Sequence, residues 1–188
     1  MATVDMRQNT VQMVHTVRPQ VAAEFLSIYR SAFLPLERRA PARQSLTDDE
    51  FIMEMEDERV LKFVCNARDG TTVALGFMAT DLSVVPWISP PYYQTKFPDH
   101  YARRAIYYIG SLLVRPDCQG GSWATMLLSE MSKTVMAASA IAAFDCCEYN
   151  VTVARLPELI ATVGQRLGRV ETIELDSQQY FAYLFSEL

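Results

Sequence analysis

The stretch YYIGSLLVRPDCQGGSWATMLL, from Tyr107 to Leu128, decides the fold of this chain. It belongs to an apolar run over 105–114 that lacks alternation, which is typical of a central strand buried on both faces. After a turn that contains Pro116, apolar side chains return at helical spacing. These side chains belong to Trp123, Met126, Leu127, Met131 and Val135. The stretch therefore predicts a strand that leads through a compact turn directly into a helix.

The turn between this strand and this helix has the features of an anion-binding site. The first N–H groups of a helix have no partner within the helix, and with the helix dipole they favour a bound anion. Gly120 and Gly121 allow a phosphate to approach the backbone closely, and Ser122 offers a hydroxyl donor. The lysine of a P-loop and the G-x-G-x-x-G spacing are both absent from the turn. On local chemistry alone, an ordinary glycine-rich turn is the alternative.

The remaining pattern predicts a mixed α/β sheet with helices on both faces. Thr47 and Glu50 form a capping box, and Asp69-Gly70 is typical of a tight hairpin turn. The expected order is a strand at 11–17, a helix from Pro19 that ends before Pro35, a helix capped by Thr47, strands at 60–66, 71–82 and 105–114, a helix from 123 to about 138, a strand at 141–149, a helix at 154–167 and strands at 170–175 and 179–185.

Residues 83–104 interrupt this order and predict a long irregular loop. The segment contains four prolines and a concentration of aromatic side chains. Long loops of this composition are often functional, although a loop packed on its own rings is an alternative. The rings are those of Trp87, Tyr92, Tyr93, Phe97, His100 and Tyr101.

Composition restricts the class of partner and the cellular location. The net charge of -5 argues against nucleic acid or an anionic membrane as the main partner. The 4 cysteines lack metal-site spacing and are interpreted as reduced thiols, so no metal is expected. No apolar run reaches the roughly 20 residues that span a bilayer, and the N-terminus lacks a secretion signal. We therefore predict a cytoplasmic protein.

The segment LLVRPDCQGGSWATMLL, Leu112 to Leu128, resembles the central motif of the GNAT superfamily of N-acetyltransferases. That motif has a strand ending in Val-x-Pro, followed by Gln/Arg-x-x-Gly-x-Gly/Ala. The matching residues are Val114, Pro116, Gln119, Gly120 and Ala124, whereas Ser122 stands where the family most often has glycine. The order of elements also resembles the superfamily fold. It implies one GNAT-like domain over 1–188, with a mostly antiparallel mixed sheet of about seven strands and splayed central strands.

The resemblance also implies transfer of an acetyl group from acetyl-CoA to an amine of a small molecule or peptide. The pantetheine arm would lie between the strand ends near 111–114 and 147–150, paired with the backbones of Leu112 and Val114. The glycine turn would hold the diphosphate. The expected cofactor-binding residues are Leu112, Leu113, Val114, Gln119, Gly120, Gly121, Ser122, Trp123, Ala124 and Asn150.

At the positions where the family places its catalytic residues, this chain has other residue types. Gly164 replaces the usual tyrosine acid, and Tyr108 and Gly110 occupy the positions of the usual base. Our catalytic candidates are therefore Tyr108, His100 beside an aspartate, and Tyr149 as a substitute acid. Direct attack by a positioned amine needs only deprotonation and a nearby thioester.

The acceptor is expected on the side lined by the 34–45 loop and the 83–104 insertion. Glu37, Glu54 or Asp81 would attract a cationic amine or accept its proton, or lie in solvent. The candidate aromatic groups are Trp87, Tyr92, Tyr93 and Tyr101. Two alternatives stay open: a non-catalytic acyl-CoA-binding protein, and a phosphate-binding module unrelated to coenzyme A. Edge strands at the C-terminus would allow a homodimer.

Overall fold

A five-stranded mixed sheet forms the centre of the computed structural model, which describes residues 9–185. The strands are β1 (Thr10–Val14), β2 (Val60–Asn66), β3 (Thr72–Ala79), β4 (Ile106–Val114) and β5 (Ile141–Ala143), and they lie in this order across the sheet. The pairs β1–β2, β2–β3 and β3–β4 are antiparallel, and β4–β5 is parallel. The prediction of a mixed, mostly antiparallel sheet is confirmed.

The helices are α1 (Pro19–Phe33), α2 (Asp48–Glu56), α3 (Pro90–Lys96), α4 (Pro98–Ala102), α5 (Trp123–Ala137), α6 (Glu148–Thr152) and α7 (Leu156–Leu167). The predicted capping box forms: the Glu50 N–H donates to Thr47 Oγ1, and the Thr47 N–H donates to Glu50 Oε2. The predicted hairpin between β2 and β3 also forms, with Gly70 at a φ of +86° that favours glycine. Within residues 9–185, every helix is too short or too polar to cross a membrane.

Both faces of the sheet are covered, because side chains of a strand alternate between its two faces. On one face, Phe25 of α1 and Phe51 of α2 pack with Phe77 of β3 in one buried cluster. On the other face, Leu127 and Met131 of α5 pack in a second cluster. The two clusters confirm helices on both faces and fix β3 and β4 at the centre of the fold.

The prediction of about seven strands is wrong, since 170–175 and 179–185 form no strand in the described part of the chain. Residues near Val170 instead follow α7: a Cβ added to Gly164 would lie 2.8 Å from Val170 Cγ2. The Leu175 carbonyl accepts a hydrogen bond from the Tyr92 hydroxyl. The short β5 offers only three residues as an edge for pairing. These contacts with helices take the place of strand pairing.

Other boundaries also differ from the prediction: the strand predicted at 11–17 ends at Val14, and the strand predicted at 71–82 ends at Ala79. The strand predicted at 141–149 ends at Ala143, and α6 begins after Cys147. The 83–104 insertion is not irregular, because a 3-10 turn at Leu82–Val84, α3 and α4 lie within it. Pro90 and Pro98 occupy the first helical turn, where the missing N–H costs nothing. The prolines that suggested a loop therefore start helices.

Candidate functional site

The sheet opens between β4 and β5. These strands pair only at Ile106↔Ile141, Tyr107↔Ala142 and Tyr108↔Ala143. β4 continues to Val114, whereas the chain beyond β5 turns into α6. From Ile109 onward, no strand within residues 9–185 pairs with this edge of β4. On the β4 side the opening lies at the predicted strand end, whereas the predicted end of the neighbouring strand at 147–150 lies at α6.

The open edge of β4 presents backbone hydrogen-bonding groups. The Arg115 N–H donates to the Val73 carbonyl at 2.9 Å, so Arg115 directs its backbone toward β3. Successive residues of a strand direct their N–H and C=O groups to opposite sides. Leu113 therefore faces β3, while Leu112 and Val114 face the opening. An extended ligand that contains amides can pair with them as an added strand would.

A β-bulge lies at the narrow end of this opening. Phe77 pairs with Ser111, and Met78 pairs with Ile109, so Gly110 is the extra residue of β4. Bulges leave a residue outside the hydrogen-bonding ladder and bend the strand. A Cβ added to Gly110 would meet nothing within 4 Å. The bulge therefore combines unpaired backbone with free space.

At the other end of β4, the turn before α5 leaves a run of backbone N–H groups without a backbone partner among residues 9–185. From Gln119 to Thr125, no backbone N–H donates to a backbone carbonyl of the described chain. Gly120 has a φ of +85°, and the position of its missing Cβ is open. Asp117 is paired with Arg115, which keeps the pKa of that carboxyl below its usual range. Arg115 therefore neutralises the negative charge of Asp117 next to the turn.

A small cavity of about 20 Å³ adjoins the bulge. Its wall is mostly apolar and includes one carboxylate, that of Glu54 on α2. The lining residues are Glu54, Val60, Ala79, Val84, Val85, Trp87, Tyr108 and Gly110. A larger cavity of about 330 Å³ lies between β1 and α5, and β2 and β3 separate β1 from β4. Of these two cavities, the small one touches the opening of the sheet.

Tyr108 and Trp87 are joined through Asp145, which follows β5. The Tyr108 hydroxyl and the Trp87 indole N–H both donate to Asp145 Oδ1, the latter at 3.2 Å. The two rings meet edge to face with centroids 6.3 Å apart. Burial and the neighbouring carboxylate raise the pKa of Tyr108, so its hydroxyl stays protonated at neutral pH. The cluster fixes the insertion against the end of β5.

Glu54 faces the cavity beside a buried lysine. Desolvation raises the pKa of Glu54 to about 7, although the Lys62 charge opposes this rise. Lys62 is fully buried, and its Nζ donates to the carbonyls of His15 at 2.8 Å and Asp57 at 2.7 Å. Desolvation lowers the pKa of Lys62 to about 8. Sequence reasoning missed Lys62, although a lysine inside the apolar run VLKFV was a signal.

The other catalytic candidates lie elsewhere. His100 is on α4, where its carbonyl accepts the Ala105 N–H. Tyr149 is on α6, with the Arg39 guanidinium carbon 4.4 Å from its ring centroid. Asn150 is also on α6, so it follows β5 by seven residues instead of ending a long strand. Neither His100 nor Tyr149 lines the cavity.

Of the residues predicted to contact the acceptor, Trp87 and Glu54 line the cavity. Tyr92 contacts the C-terminal segment, and Tyr93 is buried with its ring 5.7 Å from that of Tyr92. Tyr101 packs against the core. Glu37 accepts a hydrogen bond from Ser45 at 2.8 Å. Among residues 9–185, no group of three or more His, Cys, Asp or Glu side chains is placed to hold a metal ion.

Solved structures resemble this chain, although no protein-family profile and no curated protein sequence matches it. A ribosomal-protein-alanine N-acetyltransferase from Brucella melitensis biovar Abortus 2308 has a TM-score of 0.50 and 13% identity over 92% of this chain and 99% of its own. The aminoglycoside acetyltransferase HMB0005 from a soil metagenome has a TM-score of 0.52 and 16% identity over 92% and 99%.

The putative acetyltransferase yncA from Salmonella typhimurium, solved with acetyl-CoA, has a TM-score of 0.54 and 17% identity over 80% of this chain and 77% of its own. At such low identity, these likenesses concern the fold. The chain thus has the fold of the GNAT-type N-acetyltransferases.

Proposed function

We propose that this protein is an acetyl-CoA-dependent N-acetyltransferase that acts on an amine of a small molecule or peptide. The observation that carries the proposal is the open edge of β4, which ends in the glycine turn at the start of α5. Backbone donors for an amide-containing arm and for an anion are thereby placed in one line. The structural neighbour yncA was solved with acetyl-CoA, which supports this choice of cofactor.

The cofactor is proposed to lie along this line of donors. Leu112 and Val114 offer backbone groups to the pantetheine amides, with Leu113 between them. The N–H groups from Gln119 to Ala124 surround the diphosphate, and the open space above Gly120 admits it. The residues assigned to the cofactor are Leu112, Leu113, Val114, Gln119, Gly120, Gly121, Ser122, Trp123, Ala124 and Asn150.

In the proposed reaction, the amine nitrogen attacks the thioester carbonyl beside the bulge at Gly110. A C–N bond forms and the C–S bond breaks; the nitrogen loses a proton to become an amide, and the sulfur leaves as a thiolate that takes one. A backbone N–H released from the ladder by the bulge is suited to polarise the carbonyl oxygen. Tyr108 is assigned a positioning role, because its hydroxyl proton is donated to Asp145.

The acceptor is proposed to reach the bulge past Trp87. Structural neighbours include enzymes named for aminoglycosides and for ribosomal-protein alanine, and both names imply amine acceptors. The cavity here is narrow, mostly apolar and has one carboxylate. At about 20 Å³ it has room for one small terminal group, so the amine nitrogen enters it beside Glu54, which attracts the charge, while the rest of the acceptor lies outside.

A direct test uses calorimetry with acetyl-CoA, followed by an assay of free thiol with a broad panel of amines. Binding together with turnover of at least one amine supports the enzyme. Tight binding without turnover favours the second candidate, a non-catalytic acyl-CoA-binding protein. That alternative is motivated by Gly164, which stands at the family's usual tyrosine position and faces Val170 at a distance too short for a larger side chain. If the protein does not bind acetyl-CoA at millimolar concentration, both candidate functions are refuted.

Tyr149 is proposed to donate a proton to the departing thiolate. It lies on α6, which follows the divergence of β5 from β4, and the Arg39 guanidinium steadies its ring. Tyr149→Phe is expected to lower kcat by about 10- to 100-fold without changing the KM of either substrate, because general acids contribute on this scale. Steady-state kinetics measure the effect, and Tyr180→Phe in the exposed C-terminal segment is the matched control. An unchanged kcat in Tyr149→Phe would contradict the assignment.

A homodimer is proposed to form through the C-terminal segment. Phe181, Tyr183 and Phe185 are 76%, 81% and 96% exposed, and β5 pairs on one side only within the described chain. Two copies can each supply an unpaired segment and an unpaired edge. We expect light scattering to give twice the chain mass for the full protein and a single chain mass after truncation at residue 169. A monomeric full-length protein at micromolar concentration would exclude the dimer.

A further inference from the structure

Glu54, which is proposed above to attract the cationic amine, also lies close to the bulge where the amine attacks. Its carboxylate is in the wall of the cavity that also contains Gly110 of the bulge. No described group donates a hydrogen bond to it, yet its oxygens are not buried without a partner. The oxygens therefore retain accessible surface, and Glu54 lines the cavity. A carboxylate with free lone pairs beside the bulge is placed to meet an N–H of the acceptor.

We infer that Glu54 is the proton acceptor of the reaction and that the buried Lys62 positions its charge. This inference rests on the proposed acetyl transfer. One proton passes from the acceptor ammonium to a Glu54 carboxylate oxygen, which leaves the nitrogen lone pair free to attack the thioester. After the C–N bond forms and the C–S bond breaks, the nitrogen loses its second proton, which balances the proton taken up by the thiolate, and Glu54 returns the first proton to solvent.

Lys62 gives the carboxylate a fixed counter-charge without binding it directly. The lysine Nζ is anchored by two backbone carbonyls, one beyond β1 and one at the end of α2. Glu54 therefore keeps its lone pairs free while a cation stands nearby. Arginine or glutamine at 62 would not reproduce this arrangement, since the site is closed on all sides.

The titration of Glu54 supports this role. Desolvation raises its pKa to about 7, so near neutral pH the side chain can both accept and release a proton. The charged or titratable groups around it are Lys62 on β2, Asp57 after α2, Tyr29 on α1 and Tyr108 on β4. Burial raises the pKa of Tyr29 to about 12, and that of Tyr108 is raised as well. Both phenols therefore stay neutral in the relevant range.

The central test compares Glu54→Gln with Glu56→Gln, an exposed carboxylate on the same helix. With an amine that the wild type acetylates, we expect Glu54→Gln to lower kcat at pH 7 by about 100-fold or more, the usual contribution of a general base. The acetyl-CoA Kd and the KM for acetyl-CoA should stay within about threefold of the wild-type values, as should all parameters of Glu56→Gln. A kcat within threefold in Glu54→Gln would overturn the inference.

The pH profile separates a proton acceptor from a structural role. Wild-type kcat/KM should fall as the pH drops below about 7, because protonated Glu54 cannot accept the amine proton. In Glu54→Gln the fall of kcat/KM below about pH 7 should vanish. The difference in kcat/KM between wild type and variant should shrink at higher pH, because the free amine then loses its proton without help from the protein. Glu54→Asp, with a retracted carboxylate, should recover part of kcat. A deficit of equal size at every pH would overturn the inference.

Lys62→Met and carbon NMR of the carboxyl complete the test. Removal of the cation should raise the Glu54 pKa, so the fall of kcat/KM at low pH should begin at a higher pH, while methionine fills the buried space.

In the wild type, NMR should find a titration midpoint of the Glu54 carboxyl well above 4.5 without any substrate. A midpoint near 4.5 would overturn the inference independently of activity. A wild type without turnover on any amine would instead refute the proposed function.

Discussion

Replacing Gly120 by glutamate is expected to abolish acetyl-CoA binding. The glutamate would bring a negative charge and a side chain into the open space above the turn, where the diphosphate is proposed to lie. The backbone at φ +85° also disfavours any side chain at this position. We expect Kd to rise by at least about 100-fold, which corresponds to roughly 3 kcal/mol. Titration calorimetry measures this change.

Gly70→Glu is the matched control for this substitution. Gly70 has a φ of +86° and equally open space around its missing Cβ, so the backbone strain and the added charge are the same. It lies in the β2–β3 hairpin instead of the turn before α5. Thermal melting should give similar losses of stability for the two variants, while only Gly120→Glu loses acetyl-CoA. Wild-type affinity in Gly120→Glu would exclude the turn as the diphosphate site.

Replacing Gly110 by leucine is expected to lower kcat/KM for the amine by about 100-fold. The missing Cβ points into free space beside the small cavity, so a leucine side chain fits without a clash and occupies the approach to the bulge. When the acceptor cannot reach the position from which it attacks, the rate advantage that correct orientation gives is lost. Because glycine weakens a strand, thermal stability should stay equal or rise. The amine kinetics and a melting curve measure both effects.

Gly110→Ala is the graded control, since its single methyl group fills little of the cavity. Its kcat/KM should lie between the values of the wild type and Gly110→Leu. The acetyl-CoA Kd should remain close to that of the wild type in both variants, because the diphosphate turn is at the far end of β4. Full activity in Gly110→Leu would show that the acceptor does not approach beside the bulge.

The cofactor part of the site was the part most open to prediction from sequence. A strand, a turn with two glycines and a helix are contiguous, so local backbone rules place the donors from Gln119 to Thr125 together. The catalytic part brings together residues that are far apart in the chain. Glu54, Lys62 and Gly110 come from α2, β2 and β4, and no local pattern relates them.

The predicted secondary structure was wrong where it depends on contacts with residues that are far away in the sequence. Residues 179–185 have the apolar composition of a strand, but a strand exists only when another strand pairs with it, and none does within residues 9–185. Asp145 lies inside the predicted 141–149 strand, yet its carboxylate accepts the Tyr108 and Trp87 donors and the chain leaves the sheet there. Pro90 and Pro98 begin helices, because proline breaks a helix in its interior but is tolerated in the first turn, where its missing N–H is not needed.

The sequence by itself determined the elements with local signals. These are the capping box of α2, the hairpin turn at Gly70 and the turn that opens α5, because each depends on hydrogen bonds or sterics within a few residues. The continuous apolar run of β4 also marked it as a buried strand, although its hydrogen bonds come from β3 and β5. Only the tertiary structure decided where β5 parts from β4, that Gly110 is a bulge, and that Glu54 lies beside a buried lysine. Those features arise from pairing register and burial across the sheet, which join residues that the linear sequence keeps apart.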